Sequence, residues 1–419
     1  MRVKYIIVTL IINFNLIAQE SNIFYEDLIV GLENNFKMKN NPENTRMIHL
    51  IREDINRNSY LPQFSITSQV TYQSDVTKIS ISLPGINIPT MDKTQYKINL
   101  EVNQILYDGL WTKTINEVDN CTSKIEELQT NLLLDSQKEL LNKLIFLYLI
   151  NYKTKQQLIE HKKTLDFKQK EINNLILGGI LTQNDMNYLN IEIIKIEQQI
   201  EALDVNCRYL SKNIELLTNI SVKNELIVFP EEDISDNDII NRKELKIIDI
   251  KKNIADLNAE LSAKQYSPKL FAFGQFGYGK PGLNMLSDKN NTYYLLGVKM
   301  SWNLLDWGKK KKETEITQIS HMSFDNEKAQ FIQNITLQKN ELLANIIKIN
   351  NYLEKDLEII QLRDNILLST NSKLTNGTAK LVDYLCDLSS KTQAIIDYEI
   401  HNIEKQYYIQ YYKILMGIK

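Results

Sequence analysis

The chain has 419 residues, a formal net charge of −3 and 24% charged residues, so it lacks the basic excess of a nucleic-acid binder. Its 13 glycines and 7 prolines make up about 5% of the sequence, where about 12% is usual, so few breakers interrupt its elements. Three cysteines cannot all pair, and four histidines (His49, His161, His321, His401) show no ligand spacing, which excludes a disulfide scaffold and a metal site.

The first residues read as a signal peptide over 1–18. Arg2 and Lys4 precede an apolar run from Tyr5 to Ile17, and Ala18 supplies a small residue at the cut. No other stretch holds 18 consecutive apolar residues, so no transmembrane helix is expected, and entry into a membrane would require a closed β-barrel. From Ser21 to about Tyr60 the pattern is helical, with Pro42 suited to restart a helix after Lys39-Asn40-Asn41.

The period then changes. Even positions are mostly apolar and odd ones polar from Phe64 to Tyr72, and the alternation is cleaner from Tyr96 to Val102. Period two marks strands with one greasy face, expected at about 63–75 and 94–107, with a loop around Pro84, Gly85 and Pro89. Asp108-Gly109 closes the second strand. Apolar residues then recur at helical spacing from Leu128 to Leu177, up to a glycine turn at Gly178-Gly179. Thr182 and Asp185 look like a capping pair for a returning helix.

The plan then repeats. An acidic connector occupies 221–238, a helix follows to about Tyr266, and strands are expected at about 269–279 and 292–304. Asp306-Trp307-Gly308 closes the last strand, and a second long helix runs to a turn at Gly377 before returning from Leu381 to the C-terminus. Asp108 and Gly179 are 71 residues apart, as are Asp306 and Gly377. At about 1.5 Å per residue each such segment would form a helix on the order of 100 Å long. The domains expected are thus a first repeat over 19–220, the connector, and a second repeat over 239–419.

Cys121, Cys207 and Cys386 sit at different heights from their turns and are expected as small buried hydrophobes. No catalytic constellation, phosphate loop or cofactor site is present, so the chain does not read as an enzyme. Gly274, Gly277 and Gly279 lie in a strand and suggest close backbone approach. Asp185 and Asp383 each lie six residues beyond their turn glycine. They either stabilise the returning helix through its dipole or, with several tips converging, line a cation-favouring opening. Tyr107, Trp111, Trp302 and Trp307 sit at strand–helix junctions, as residues of a membrane–water boundary would, with core packing the alternative for each.

Four strands with lipid-facing residues would leave open edges in hydrocarbon, so several chains must share one barrel. At this point the sequence resembles the TolC family of outer membrane efflux proteins. The likeness is carried by Tyr60-Leu-Pro-Gln-Phe64 and its echo Tyr266-Ser-Pro-Lys-Leu270, by the Asp108-Gly109 and Asp306-Trp-Gly308 junctions, and by Asn241-Arg-Lys-Glu-Leu245, where Lys243 stands in place of a common proline. Gly377-Thr378 and Leu381-Val382-Asp383 match the second hairpin tip.

The resemblance implies a mainly α chain with transmembrane β: a homotrimer whose twelve-stranded β-barrel continues into a twelve-helix α-barrel. It would lie in the outer membrane of a Gram-negative bacterium, reach into the periplasm, and work as an exit duct for small molecules or polypeptides. Its partners would be a periplasmic adaptor and an inner-membrane RND, ABC or MFS transporter, the adaptor meeting the tip residues Gly178, Gly179, Thr182, Gly377 and Thr378. Of two acids that can ring the tip, Asp383 matches the first; the second falls on Cys386, with Asp387 beside it, and Ala379 replaces an expected arginine. The alternative is a soluble periplasmic coiled-coil scaffold or adaptor.

Overall fold

The computed structural model describes residues 23–77, 91–223, 226–230 and 239–418. The expected signal peptide, the loop around Pro84, Gly85 and Pro89, and connector residues 224–225 and 231–238 lie outside the described residues. In chain order the elements are β1 (Ile23–Phe24), α1 (Tyr25–Asn35), α2 (Asn41–Asn58), β2 (Gln63–Tyr72), β3 (Thr94–Tyr107), α3 (Trp111–Leu177), α4 (Gln183–Thr218), β4 (Ile227–Val228), α5 (Lys243–Lys264), β5 (Lys269–Lys280), β6 (Asn291–Ser301), α6 (Lys309–Thr375) and α7 (Leu381–Met416). No helix among the described residues is long and apolar enough to cross a membrane.

The repetition is kept to the residue. The four boundaries of α3 and α4 (111, 177, 183, 218) recur in α6 and α7 at 309, 375, 381 and 416, an offset of 198. The helices also stop alike, with Asn219 and Gly417 both in the left-handed conformation that ends a helix. Contacts divide the chain into two compact units that cut across the copies, each copy contributing to both.

One unit draws on Met1–Lys39, Leu133–Arg242 and Asn334–Lys419. Its two hydrophobic clusters form where apolar stripes of the long helices meet. In one, Leu28 and Leu32 of α1 pack with Leu141, Ile145 and Tyr148 of α3 and Ile214 of α4. Beside it β1 and β4 pair in parallel, a two-residue bridge set in a stretch whose pattern reads as helical. In the other, Leu165 and Ile172 of α3 meet Leu189, Ile193 and Ile196 of α4, together with Leu374 of α6 and Leu381 and Leu388 of α7. The second unit, from Asn40–Leu132 and Lys243–Gln333, holds a four-stranded antiparallel sheet in the order β2-β3-β5-β6.

Helices in this second unit follow the same order as the strands. His49 and Arg52 of α2 reach Asp119 of α3 at 2.8 and 2.9 Å. Lys264 of α5 bonds Thr114 of α3. Lys251 and Asp249 of α5 pair with Glu327 and Lys328 of α6 at 3.2 and 2.8 Å. The row α2-α3-α5-α6 ends in helices that expose apolar side chains: Met47, Ile51 and Ile55 on α2, and Ile316, Ile319 and Met322 on α6.

Two cysteines match the sequence expectation, Cys121 and Cys207 being buried. Cys386 does not: it is exposed on α7, because the buried stripe there runs through Leu381, Tyr384, Leu385 and Leu388. His161 is 6% exposed on α3, one turn from Leu158 and Leu165, and neither ring nitrogen has a hydrogen-bond partner. Burial pushes its pKa down, against a smaller upward pull from Glu192. The unfolded chain takes up a proton below about 6.5, whereas the buried ring resists it. Stability is therefore complete above about pH 6.5 and falls as the pH drops toward the folded value. H161L removes this histidine's share of the acid sensitivity together with an unsatisfied polar group. Thermal melts of the full chain should show it more stable than wild type by about 1–3 kcal/mol, with the larger gap at pH 5 than at pH 7.5.

Candidate functional site

The sheet has one apolar and one polar face. Register places Phe64, Val102, Gly274 and Leu296 in one row across the four strands, and Ile66, Leu100, Phe276 and Tyr294 in the next. These even-numbered residues form a single apolar surface, yet Phe64, Ile66, Val70, Leu296 and Val298 are 67–74% exposed. The opposite face carries a polar network. The Thr67 hydroxyl and the Gln275 amide both donate to Glu101, at 3.0 and 3.1 Å, and the Tyr293 hydroxyl donates to Asn99 at 2.6 Å. The alternation of β5 is blurred because Phe271 and Phe273 also lie on this face. Phe273 fits by lying over Gly297, where a Cβ would come within 2.8 Å of its ring. β6 ends at Ser301, three residues short of the expected 304.

Register also brings the four junction aromatics to the same end of the sheet: Tyr107 pairs with Leu270, and Trp302 follows the Ser301–Lys269 pair. Trp111 is half-buried, with the Lys269 ammonium 5.7 Å from its ring centre. The Trp302 indole N–H donates to the Tyr266 carbonyl at 3.1 Å. Trp307 is 88% exposed.

At each junction the chain takes two consecutive left-handed residues before the helix begins. In the first copy they are Gly109 (φ 75°) and Leu110 (φ 66°), and in the second Trp307 (φ 50°) and Gly308 (φ 76°). Each copy has one glycine, at alternate positions. An aspartate then caps the helix. Asp108 is buried and accepts from the Trp111 and Thr112 N–H groups at 3.1 and 2.8 Å and from the Thr112 hydroxyl at 2.6 Å. Burial pushes its pKa up, but the bonds from Thr112 and Tyr60 outweigh this and hold it below the usual carboxylate range. Asp306 accepts from the Gly308 and Lys310 N–H groups at 3.1 and 3.3 Å, and these bonds lower its pKa.

The hairpin tips are equally alike. Gly179 donates to Ile176 and Gly377 to Leu374, both at 3.0 Å; Ile180 donates to Leu175 at 2.9 Å and Thr378 to Lys373 at 2.8 Å. Both glycines have positive φ, as the turn requires. Gly178 donates to Asn174 at 3.0 Å. The two tips pack together: a Cβ at Gly377 would meet Ile180 at 3.3 Å. Asp185 Oδ2 accepts from the Thr182 N–H at 2.8 Å and hydroxyl at 2.7 Å, and Asp383 Oδ2 accepts from the Lys380 N–H at 3.2 Å. Asp387 Oδ2 accepts from the Thr370 hydroxyl at 2.6 Å. Among the described residues no hydrogen bond engages Oδ1 of these three acids.

One tip contact escapes sequence reading. Lys168, 5% exposed, bonds Asn371 of the other hairpin and Glu171 at 2.7 Å, and its ammonium lies 4.7 Å from the Tyr384 ring centre. The spacing of Lys168 and Glu171 signals their pairing, but nothing in the sequence ties either to Tyr384. No cluster of potential metal ligands occurs among the described residues.

More than nine-tenths of the chain matches solved outer membrane channels in fold. CusC, whose structures concern transmembrane channel formation, matches at 12% identity over 94% of this chain and 92% of its own, with a TM-score of 0.70. The CmeC outer membrane channel of Campylobacter jejuni matches at 14% identity over 94% and 85%, with a TM-score of 0.66. The open MtrE outer membrane channel of Neisseria gonorrhoeae matches at 13% over 93% and 88%, with a TM-score of 0.65. No protein-family model and no curated protein matches the sequence. At these identities what is shared is the fold.

Removing the Asp108 carboxylate tests the junction. D108A should lower unfolding stability by about 1–2 kcal/mol at pH 7. Because the folded pKa is depressed, that contribution is complete above about pH 4 and disappears as the pH falls through the folded value, so melts of D108A and wild type should converge in acid.

Proposed function

We propose that this chain is a TolC-family channel of the outer membrane of a Gram-negative bacterium, a passive exit duct whose transport is driven by a partner pump. The observation that carries the reading is the sheet: a continuous apolar face across four strands, exposed, with β2 and β6 as free edges. In water such a face would drive aggregation. In lipid it is the expected outer surface of a β-barrel, and hydrocarbon requires the edges to close.

Closure comes from other copies of the chain, β6 of one pairing with β2 of the next. The helix row supports the same arrangement, since α2 and α6 are its ends and each bears an unpartnered apolar stripe. Three copies would give twelve strands and twelve helices, the assembly that the family resemblance implies. The polar face, with Glu101, Gln275 and Asn99, would then line the lumen.

The long hairpins would form the periplasmic part of the duct, with Asp185, Asp383 and Asp387 at its constriction. The turns Gly178, Gly179, Thr182, Gly377 and Thr378 would meet a periplasmic adaptor that couples the duct to an inner-membrane RND, ABC or MFS transporter. Tyr107, Trp111, Trp302 and Trp307 would mark the membrane boundary.

Two experiments test this reading. I66K places a charge on the lipid side and should cost about 2–4 kcal/mol of membrane stability, abolishing carbonate-resistant membrane association, whereas S65K on the lumen side should leave it intact. If both variants, or wild type, wash off membranes, the channel reading fails. In planar bilayers, D185N/D383N should reduce single-channel cation selectivity, and unchanged selectivity would remove these acids from the constriction.

A further inference from the structure

Like α3, α6 has no acid in its first turn, whereas the other five helices have one. A helix N-terminus carries partial positive charge and favours acids. Accordingly α1, α2, α4, α5 and α7 have Glu26 and Asp27, Glu43, Asp185, Glu244 and Asp383 in their first turns. α6 instead opens with Lys309-Lys310-Lys311-Lys312 and has no acid in its first turn. The matching positions of the first copy are Trp111, Thr112, Lys113 and Thr114, so the excess charge belongs to one copy only.

Asp306, the cap residue just before these lysines, is the carboxylate that acts on this run, through Lys310. Lys309 bonds the neutral Gln265 side chain at 3.1 Å, and among the described residues none of the four lies within ion-pair distance of a carboxylate. Lys310, Lys311 and Lys312 are exposed. Four consecutive residues sweep about 300° around a helix, so a single neighbouring helix cannot face them all.

The residues just before the quartet are apolar and open. Leu304, Leu305 and Trp307 are 68–88% exposed, and Trp307 also holds a left-handed backbone that disfavours a bulky side chain. An exposed, strained tryptophan lies at the end of a sheet with an apolar face, beside four lysines that form no ion pair among the described residues. The matching environment has hydrocarbon on one side and fixed negative charge on the other.

We propose that Lys309–Lys312, with Trp307, form a binding patch for anionic phospholipid headgroups at the membrane boundary. This rests on the outer-membrane channel reading and names the lipid class that its boundary selects. The Trp307 indole lies at headgroup level, and the lysine stems run along apolar surface while their ammonium groups reach the phosphates. With the patch in one copy only, an oligomer presents one patch per subunit.

The test uses the full chain with W111F/W302F, which leaves Trp307 as the sole tryptophan, reconstituted in brominated phosphatidylglycerol or brominated phosphatidylethanolamine. Phosphatidylglycerol should quench Trp307 with an association constant about fivefold higher at low salt. The preference should shrink to less than about twofold in K310Q/K311Q/K312Q and in about 0.5 M salt. Equal quenching by both lipids, in protein that still conducts ions, overturns the lipid patch and leaves the channel standing. No quenching by either lipid, together with no conductance, overturns both. Loss of the preference in inorganic phosphate at matched ionic strength assigns the lysines to a free anion and overturns the lipid reading. If these variants fail to fold, native mass spectrometry of the unaltered protein from an equal lipid mixture decides: retained phosphatidylglycerol in excess supports the patch, and parity overturns it.

Discussion

Backbone hydrogen bonding in a medium without water is the constraint on which the proposed architecture depends. Each edge strand carries a row of N–H and C=O groups that hydrocarbon cannot satisfy, at several kcal/mol for each unpaired group. In this chain β3 and β5 are paired on both sides, while β2 and β6 are paired on one. The lipid-like face of the sheet therefore cannot be used by one copy alone. Edge pairing and outward apolar side chains become a single requirement, one that the proposed self-association would meet. The matching order of strands and helices means that closing the sheet in the proposed assembly would also cover the stripes on α2 and α6.

The junctions show what the repeat preserves. Both copies need two left-handed residues between the last strand pairing and the first helical turn, and both place an aspartate just before them to cap the helix. The glycine is not fixed in place: it comes first in Gly109-Leu110 and second in Trp307-Gly308. The copies share backbone geometry and hydrogen bonds rather than residues. The non-glycine residue in each pair adopts an uncommon conformation that costs of order 1 kcal/mol or more. The strain recurs at the same place because the change of direction from strand to helix is required there.

Much of this was legible in the sequence. The period-two runs from Phe64 and Tyr96 gave the strands, since a sheet with one wet and one apolar face must alternate. The scarcity of breakers gave helices of 67 residues, and the spaced glycines gave their turns. What escaped depends on contacts between distant segments. The parallel pairing of Ile23 and Phe24 with Ile227 and Val228 spans about 200 residues and is too short to carry a period. Phe273 reads as out of phase until Gly297 opposite it is known. Cys386 is of a usually buried type, but its helical phase points it outward, and that phase is set by Tyr384 and Leu388. Of the tip, the capping acids were legible from spacing, whereas the Lys168–Tyr384 contact joins two hairpins and left no local trace.

The same partial charge at helix starts is answered in three ways, and each answer fits its surroundings. At the junction of the first copy, the buried Asp108 is used up by its hydrogen bonds to Trp111 and Thr112 and serves the helix alone. At the tips, Asp185 and Asp383 give one oxygen to the cap and keep the other unbonded. Capping and lining an opening are thus compatible roles: a cap fixes the carboxylate close to the helix end without neutralising it. The start of α6 has a half-buried aspartate cap followed by four lysines, so the cap satisfies the backbone but leaves an excess of positive charge. In the proposed duct, the tip acids would face water and cations, and the lysines that follow the Asp306 cap would face fixed anions.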